Sequence, residues 1–154
     1  MKGRFSVEKI ISGGQTGVDR AALGAAIELG IQRGGWCPKG RKAEDGVIPD
    51  HYPLQETSSA SYPVRTEKNV KDSDGTLIPT IEPVTGEIAL TPKVARKLRK
   101  PHLVIDLSKE PDPNAVRNWG QEYSIKVLNV AGPRESKTPG SHGRTFQFLC
   151  GILN

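Results

Sequence analysis

The amino-acid sequence predicts an α/β protein with an open, mostly parallel sheet and helices on both faces. Segments of strand and helix character alternate along the chain, which is the pattern of such folds. Near the N-terminus, a β-branched run, a glycine-rich turn and a helical segment follow one another directly, as in the first half of a βαβ unit. The 154 residues, 35% of them hydrophobic, suit one domain that buries a core.

The glycine-rich turn is the most distinctive stretch of the chain. A first strand is predicted over residues 7–11 and a first helix over residues 21–29, with the sequence SGGQTGVDR between them. Glycines let the backbone turn sharply and approach a ligand, while the helix start adds N–H donors and the positive end of its dipole. We interpret this stretch as an anion-binding turn. Thr16 and Asp19 also have the spacing of an N-cap and its N3 partner, which predicts that they cap the helix.

The remaining elements follow in order. Residues 31–37 are the predicted second strand, although Gly34 and Gly35 weaken it and suit the close approach of another backbone. Residues 38–63 are polar and rich in proline, which predicts a structureless segment, either a functional lid or a surface loop. The later predicted elements are a short helix (64–71), a strand (75–79), a helix (89–99), a buried strand (102–107), a helix capped by Asp112 (113–123), a strand (126–130) and a helix (144–153).

Unusual residues follow several of the predicted strands. Besides the glycine-rich turn, these are residues 37–46, 83–86 and 129–136. In open parallel sheets, ligands bind at the carboxyl ends of the strands. We therefore expect these segments to form a crevice on one edge of the sheet, lined by backbone amides and basic side chains, that accepts a small anionic molecule.

Composition and charge narrow the class of partner. The net charge of +5 favours acidic or phosphorylated partners. No apolar run approaches the roughly 18 residues of a membrane span, and no signal peptide is recognisable, so we expect a cytoplasmic protein without a membrane partner. The basic cluster at residues 96–100 lacks interleaved aromatics, which argues against nucleic-acid binding. The spacing of Cys37 and Cys150 suits neither a metal site nor a disulfide framework, and no nucleophile–base pair can be assembled.

Several motifs together resemble one family. SGGQTGVDRAAL (residues 12–23), GGWCPKGR (34–41), AEDG (43–46) and NVAGPRES (129–136) closely resemble the molybdenum cofactor carrier family of the SLOG superfamily, and the match covers nearly the whole chain. This resemblance implies a single Rossmann-like domain over residues 1–154 and a nucleotide-like ligand. It also implies a role in binding and protecting the molybdenum cofactor, a phosphorylated pterin, as a homo-oligomer.

The chain departs from the family after the third predicted strand. Residues 85–91 read TGEIALT where the family commonly has a second glycine and a threonine, and Glu87 adds a negative charge beside the expected anion site. The related nucleotide-cleaving branch carries Pro-Gly-Gly-x-Gly-Thr-x-x-Glu here, which this chain lacks. The sequence thus favours a binding protein over the alternative, a nucleotide-processing enzyme that uses an acid such as Asp19 or Asp74.

The candidate ligand-binding residues lie at predicted strand ends or on the short helix. Lys39 and Arg41 suit phosphate binding, with solvated loop cations as the alternative. Arg65 and Asn69 lie one turn apart and share a helix face, whereas Asp74 is equally explained by turn formation. The full predicted set is Gly13, Gly14, Gln15, Thr16, Gly17, Asp19, Lys39, Arg41, Arg65, Asn69, Asp74, Thr85, Gly86, Arg134 and Ser136.

Overall fold

Strands and helices alternate along the computed structural model, which describes residues 5–81 and 87–153. The elements are β1 (Lys9–Ile11), α1 (Val18–Leu29), β2 (Gln32–Gly34), β3 (Trp36–Cys37), β4 (Lys42–Ala43), β5 (Gly46–Val47), β6 (Gln55–Glu56), α2 (Tyr62–Asp72), β7 (Gly75–Thr80), α3 (Glu87–Lys97), β8 (His102–Asp106), α4 (Pro113–Glu122), β9 (Val127–Val130) and α5 (Ser141–Ile152).

Within the part of the chain that the structure describes, the central sheet has five parallel strands in the order β2-β1-β9-β7-β8. The strand that comes last in the chain, β9, is therefore the middle strand. Asn129 pairs in register with Ile11 on one side and with Thr76 on the other. This topology confirms the predicted open, parallel α/β sheet.

The two faces of the sheet pack against different helices. Ile10, Leu77 and Leu128 are fully buried in one hydrophobic cluster together with residues of α1, α4 and α5. Successive side chains of a strand point to opposite faces. Ile78 and Asn129 therefore point to the other face, where α2 and α3 pack against each other.

The predicted second strand is two strands that pair with different partners. β2 joins β1 in the central sheet, whereas β3 pairs in parallel with β6. Gly35 separates them with a φ of +126°, and a Cβ at this position would lie 2.3 Å from the carbonyl oxygen of Ser12. The predicted close backbone approach is confirmed at Gly35, but the continuous strand is wrong because the chain bends there.

Residues 38–63 are not structureless. β4 and β5 form an antiparallel pair, β6 pairs with β3, and a small core of Cys37, Ala43 and Ile48 is buried beneath them. The Arg41 guanidinium donates hydrogen bonds to four carbonyl oxygens of this segment, those of Ile48, Pro49, Tyr52 and Leu54. The segment has too little apolar periodicity for the sequence to reveal this order.

Several predicted details are confirmed and others are wrong. Asp112 caps α4, because its carboxylate accepts a hydrogen bond from the Asn114 N–H at 2.9 Å. By contrast, α1 begins at Val18 with Gly17 as its N-cap and no side-chain capping bond, so the predicted capping pair does not form. The strand predicted as buried, β8, lies at the sheet edge, where Val104 is 39% exposed.

Candidate functional site

A cleft of about 220 Å³ opens at the carboxyl ends of β1 and β9, with α2 and α3 on its other side. This is the edge of the sheet at which the sequence predicted a crevice. The predicted site residues that line it are Gly13, Gln15, Asp19, Arg65, Asn69 and Arg134. The sequence missed other lining residues, among them Tyr62, Thr66, Leu90, Thr91, Asn129 and Lys137.

Arg65 and Asp19 form a buried charged pair in the cleft wall. Arg65 on α2 is 9% exposed, donates a hydrogen bond to the Gly13 carbonyl oxygen at 3.0 Å, and lies 3.6 Å from the Asp19 carboxylate. Burial raises the pKa of Asp19 from 3.8 to about 6, although the Arg65 charge and hydrogen bonds oppose this shift. A buried acid with this pKa in a cleft is typical of functional sites.

Asn69 lies in the same wall, but both ends of its amide are used within the protein. Its Oδ1 accepts from the Trp36 N–H at 2.8 Å, and its Nδ2 donates to the Trp36 carbonyl oxygen at 3.0 Å. Asn69 therefore joins α2 to the start of β3 and shapes the cleft through its packing.

Asn129 is not among the predicted site residues, although it begins the segment 129–136 that the sequence places at the crevice. It is 2% exposed, and its Nδ2 donates to Thr76 Oγ1 at 3.2 Å. Its Oδ1 has no hydrogen-bond partner among residues 5–81 and 87–153. One signal was available, since Asn129 is the single polar residue of the strand sequence VLNV.

Cationic side chains surround one aromatic ring of the cleft. The Arg65 guanidinium lies 5.1 Å from the centroid of the Tyr62 ring, and that of Arg134 lies 6.0 Å away. Arg134 is half-buried and Lys137 is exposed, so positive charge extends from the cleft wall to its rim. This charge suits an anionic ligand.

Much of the glycine-rich turn contacts the protein rather than the cleft. A Cβ at Gly14 would point at Ile48 and Leu54, and one at Gly17 would lie 2.5 Å from the Pro133 carbonyl oxygen. Both glycines have positive φ, at 81° and 78°. Their lack of a side chain therefore lets other parts of the chain pack closely here.

Thr16 and Ser136 lie outside the cleft and hold a carboxylate of the chain itself. Both hydroxyls donate to the Glu44 carboxylate, which also accepts from the Ser136 N–H at 3.2 Å. Burial opposes ionisation of Glu44, but the hydrogen bonds from Ser136 and Thr16 outweigh it and lower the pKa. Thr16 and Ser136 were expected to bind an anionic ligand, but in the structure they bind the Glu44 carboxylate of the protein itself.

The remaining predicted residues lie elsewhere. Lys39 is exposed and does not line the cleft, and Arg41 is engaged with carbonyl oxygens of its own segment. Asp74 lies at the opposite edge of the sheet, where its carboxylate accepts from the N–H groups of residues 126 and 127. Thr85 and Gly86 fall outside the described residues.

The described residues form neither a candidate metal site nor a membrane-spanning helix. Within residues 5–81 and 87–153, no three His, Cys, Asp or Glu side chains group in a way that could hold a metal ion. In the same part of the chain, no helix combines the length and apolar character needed to cross a membrane.

Comparison with known proteins decides the family. The model of the Circularly permutated YpsA SLOG family matches residues 10–153. The chain belongs to this family. This SLOG protein is also similar to the crystal structure of a protein from Syntrophus aciditrophicus SB named "Putative molybdenum carrier protein", with 49% sequence identity and a TM-score of 0.89. The similarity covers 93% of this chain and 92% of that one. No curated protein matches the chain.

Proposed function

We propose that this SLOG protein binds a small phosphorylated heterocycle in the cleft, and that this ligand is the molybdenum cofactor, which the protein carries and protects. The observation that carries the proposal is the set of side chains that line the cleft. Three cationic side chains, an aromatic ring and a buried amide with an unused oxygen line a single cavity at the strand ends: Arg65, Arg134, Lys137, Tyr62 and Asn129.

The two kinds of group suit the two parts of such a ligand. Arg134 and Lys137 at the rim would hold the phosphate by charge-assisted hydrogen bonds. The volume of about 220 Å³ lies below the usual range of roughly 300–1,000 Å³ for drug-sized ligands, so it suits one ring system with its phosphate at the rim. The name of the Syntrophus aciditrophicus protein supports a molybdenum-related ligand.

Ligand stabilisation tests the proposal directly. Pterin phosphates, the molybdenum cofactor, nucleotides, inorganic phosphate and molybdate would be compared by thermal shift at low salt. A ligand present at about a hundred times its Kd should add roughly 2.7 kcal/mol to the free energy of unfolding. No shift with any phosphorylated heterocycle at millimolar concentration would contradict the proposal, and mass spectrometry of the natively purified protein would identify the retained molecule.

Two exposed lysines provide a matched test of the binding surface. Lys137→Ala removes a cation of the cleft rim, whereas Lys39→Ala removes an equally exposed cation outside the cleft. We expect Lys137→Ala to weaken binding of the phosphorylated ligand up to about fivefold, because an ion pair of an exposed side chain contributes up to about 1 kcal/mol. Lys39→Ala should leave the affinity unchanged. The reverse pattern in a calorimetric titration would place the phosphate on residues 38–63 instead.

A second candidate function is nucleotide processing, and Asp19 favours it. Its buried carboxyl lines the cleft, and its pKa of about 6 suits general acid–base catalysis near neutral pH. Asp74, the other acid considered, lies at the opposite edge of the sheet. Incubation with common nucleotides, followed by chromatography for released base or phosphate, tests this function. Turnover that disappears in Asp19→Asn would favour an enzyme over a carrier.

Other expected properties of this SLOG protein remain predictions. We expect a homo-oligomer, which size-exclusion chromatography with light scattering would test. We also expect a cytoplasmic protein that does not bind nucleic acid, which cell fractionation and a gel-shift assay with mixed DNA and RNA would test.

A further inference from the structure

We infer that Asn129 and Asp19 form the acceptor end of the cleft and recognise a heterocycle that carries an amino group beside a ring N–H, as in the 2-amino-4-oxo rings of pterins and guanine. The inference rests on the proposed function and adds ring selectivity to it. It requires that the ring enters the cleft first and leaves its anionic group at the cationic rim.

The amide oxygen of Asn129 has no hydrogen-bond partner in the described residues. Buried side-chain polar atoms nearly always have a hydrogen-bond partner. The Asn129 Nδ2 has one in Thr76, whereas Oδ1 has none in the described part of the chain, although the residue is buried and lines the cleft. An amide oxygen can only accept. A ligand that satisfies it must therefore bring an N–H or O–H group to the strand end.

Asp19 supplies a second acceptor at the same strand end. Its carboxylate interacts with the Ser12 side chain, with the backbone N–H of Gly132, three residues beyond Asn129, and with that of Gln15 at 3.4 Å. Asp19 and Asn129 line the same cleft. An ionised carboxylate has only acceptor atoms. Arg65 lies beside this carboxylate and balances its negative charge in the cleft wall. Its guanidinium also donates a hydrogen bond to the Gly13 carbonyl oxygen.

Two acceptors in one small cavity select among heterocycles. A 2-amino-4-oxo ring offers an amino group and an adjacent ring N–H, so both acceptors obtain donors. Adenine offers its amino group beside a ring nitrogen lone pair, which would face an acceptor and repel it. Hypoxanthine and lumazine lack the 2-amino group. A site built to hydrogen-bond a group discriminates strongly against analogues without it, because its own buried atoms then stay unpaired.

The test uses ligand pairs that differ in the 2-amino group. Guanosine 5′-monophosphate is compared with inosine 5′-monophosphate, and pterin-6-carboxylate with lumazine-6-carboxylate, by calorimetric titration at about pH 8, where Asp19 is ionised. Adenosine 5′-monophosphate is a fifth ligand. We expect the 2-amino member of at least one pair to bind about tenfold tighter or more, the usual effect of one satisfied buried acceptor. The pair that shows the preference identifies the ring as guanine or pterin.

Variants of Asn129 test whether this residue causes the preference for the 2-amino group. Asn129→Ala removes the acceptor and should abolish the 2-amino preference, whereas Asn129→Asp keeps an oxygen in place and should retain most of it. Thr145→Ala is the matched control, because Thr145 is also buried with a hydroxyl unpartnered in the described chain but lies on α5 outside the cleft. Unfolding curves of all variants show whether each protein is folded under the titration conditions.

The outcomes separate this inference from the proposed function. If all five ligands bind but neither pair shows a preference, the inference is overturned while heterocycle binding stands. If an adenine or hypoxanthine ring binds tightest, the acceptor assignment is wrong. If none of these five ligands binds, and no other pterin phosphate or nucleotide does, the proposed function itself fails. Unchanged selectivity in folded Asn129→Ala would overturn the role of Asn129.

Discussion

The glycine-rich turn borders the cleft and shares Gly13, Gln15 and Asp19 with it, yet the polar groups on the turn side and on the cleft side differ in how far the protein itself satisfies them. In the turn, Gln15 Oε1 accepts from the N–H groups of Thr16 at 3.1 Å and Glu44 at 2.9 Å, and Arg20 pairs with both oxygens of Asp45 at 2.5 and 2.8 Å. In the cleft, burial raises the pKa of Asp19, and one buried amide oxygen has no partner in the described residues.

This difference assigns separate tasks to the two regions. The turn uses its hydrogen bonds to hold residues 38–63 and the segment after β9 against the sheet, so its glycines serve packing within the protein. The cleft contains a buried acid and a buried amide oxygen without a partner in the described residues, and burying such groups lowers the stability of the folded protein. Functional sites commonly retain such local costs.

Adding a methyl group to the turn should have the largest effect on stability, because the turn glycines lie against other parts of the backbone. In Gly17→Ala, the new Cβ would lie 2.5 Å from the Pro133 carbonyl oxygen and 2.7 Å from the Glu135 nitrogen, at a φ of +78°. Because these are backbone atoms, we expect a loss of roughly 4 kcal/mol in the free energy of unfolding, measured by urea denaturation. Gly140→Ala is the control, since its φ is +91° but no atom of the described residues lies within 4 Å of the added Cβ, and it should cost about 1 kcal/mol. Equal losses would show that chain packing at the turn is not tight.

The pH dependence of the free energy of unfolding tests how much stability the protein loses by burying the ionised Asp19 carboxylate in the cleft. The folded protein binds a proton at Asp19 more tightly than the unfolded chain, because the pKa rises from 3.8 to about 6. Asp19 therefore contributes most to stability below about pH 4, and this contribution falls by roughly 3 kcal/mol as the pH rises to about 6 and is constant above. Subtracting the unfolding curve of Asp19→Asn from that of the natural protein isolates this effect. A flat difference between pH 4 and 6.5 would contradict it.

A smaller effect is expected where the turn holds its own carboxylate. Glu44→Gln keeps the shape but removes the charge that Thr16 and Ser136 bind, so we expect a loss of about 1–2 kcal/mol and faster proteolysis of residues 38–63. The pKa of Glu44 is lowered, so its contribution is complete above its ordinary value and is lost as the pH falls below it. Asp45→Asn, which breaks the pair with Arg20 at a half-exposed carboxylate, should cost less than about 1 kcal/mol. A larger loss for Asp45→Asn would reverse the ranking.

The order of elements and the edge that carries the cleft were predictable from the sequence. Short β-branched runs between turns define strands, so the strand predicted at residues 126–130 is observed at Val127–Val130. The rule on strand ends then predicts the edge, and helical spacing brings Arg65 and Asn69 to one wall.

The division of tasks was not predictable. Glycines such as Gly14 and Gly17 suit the approach of a ligand and of a neighbouring chain segment equally well, and only the folded chain shows which is present. Asn129 comes beside α2 and α3 because β9 lies between β1 and β7, and strand order is not written in local sequence. For the same reason, Asp74 could not be assigned to the opposite edge.

The position of β9 also has a consequence for how the chain assembles during synthesis. Without β9, the sheet consists of two separate pairs, β2 with β1 and β7 with β8. Their union requires contacts such as the hydrogen bond from Ser12 Oγ to the Val130 carbonyl oxygen, which spans 118 residues of chain. Contacts so distant in sequence slow folding, because a large loop must close before they form. The two halves of the sheet therefore cannot pair through β9 until nearly the whole polypeptide has left the ribosome.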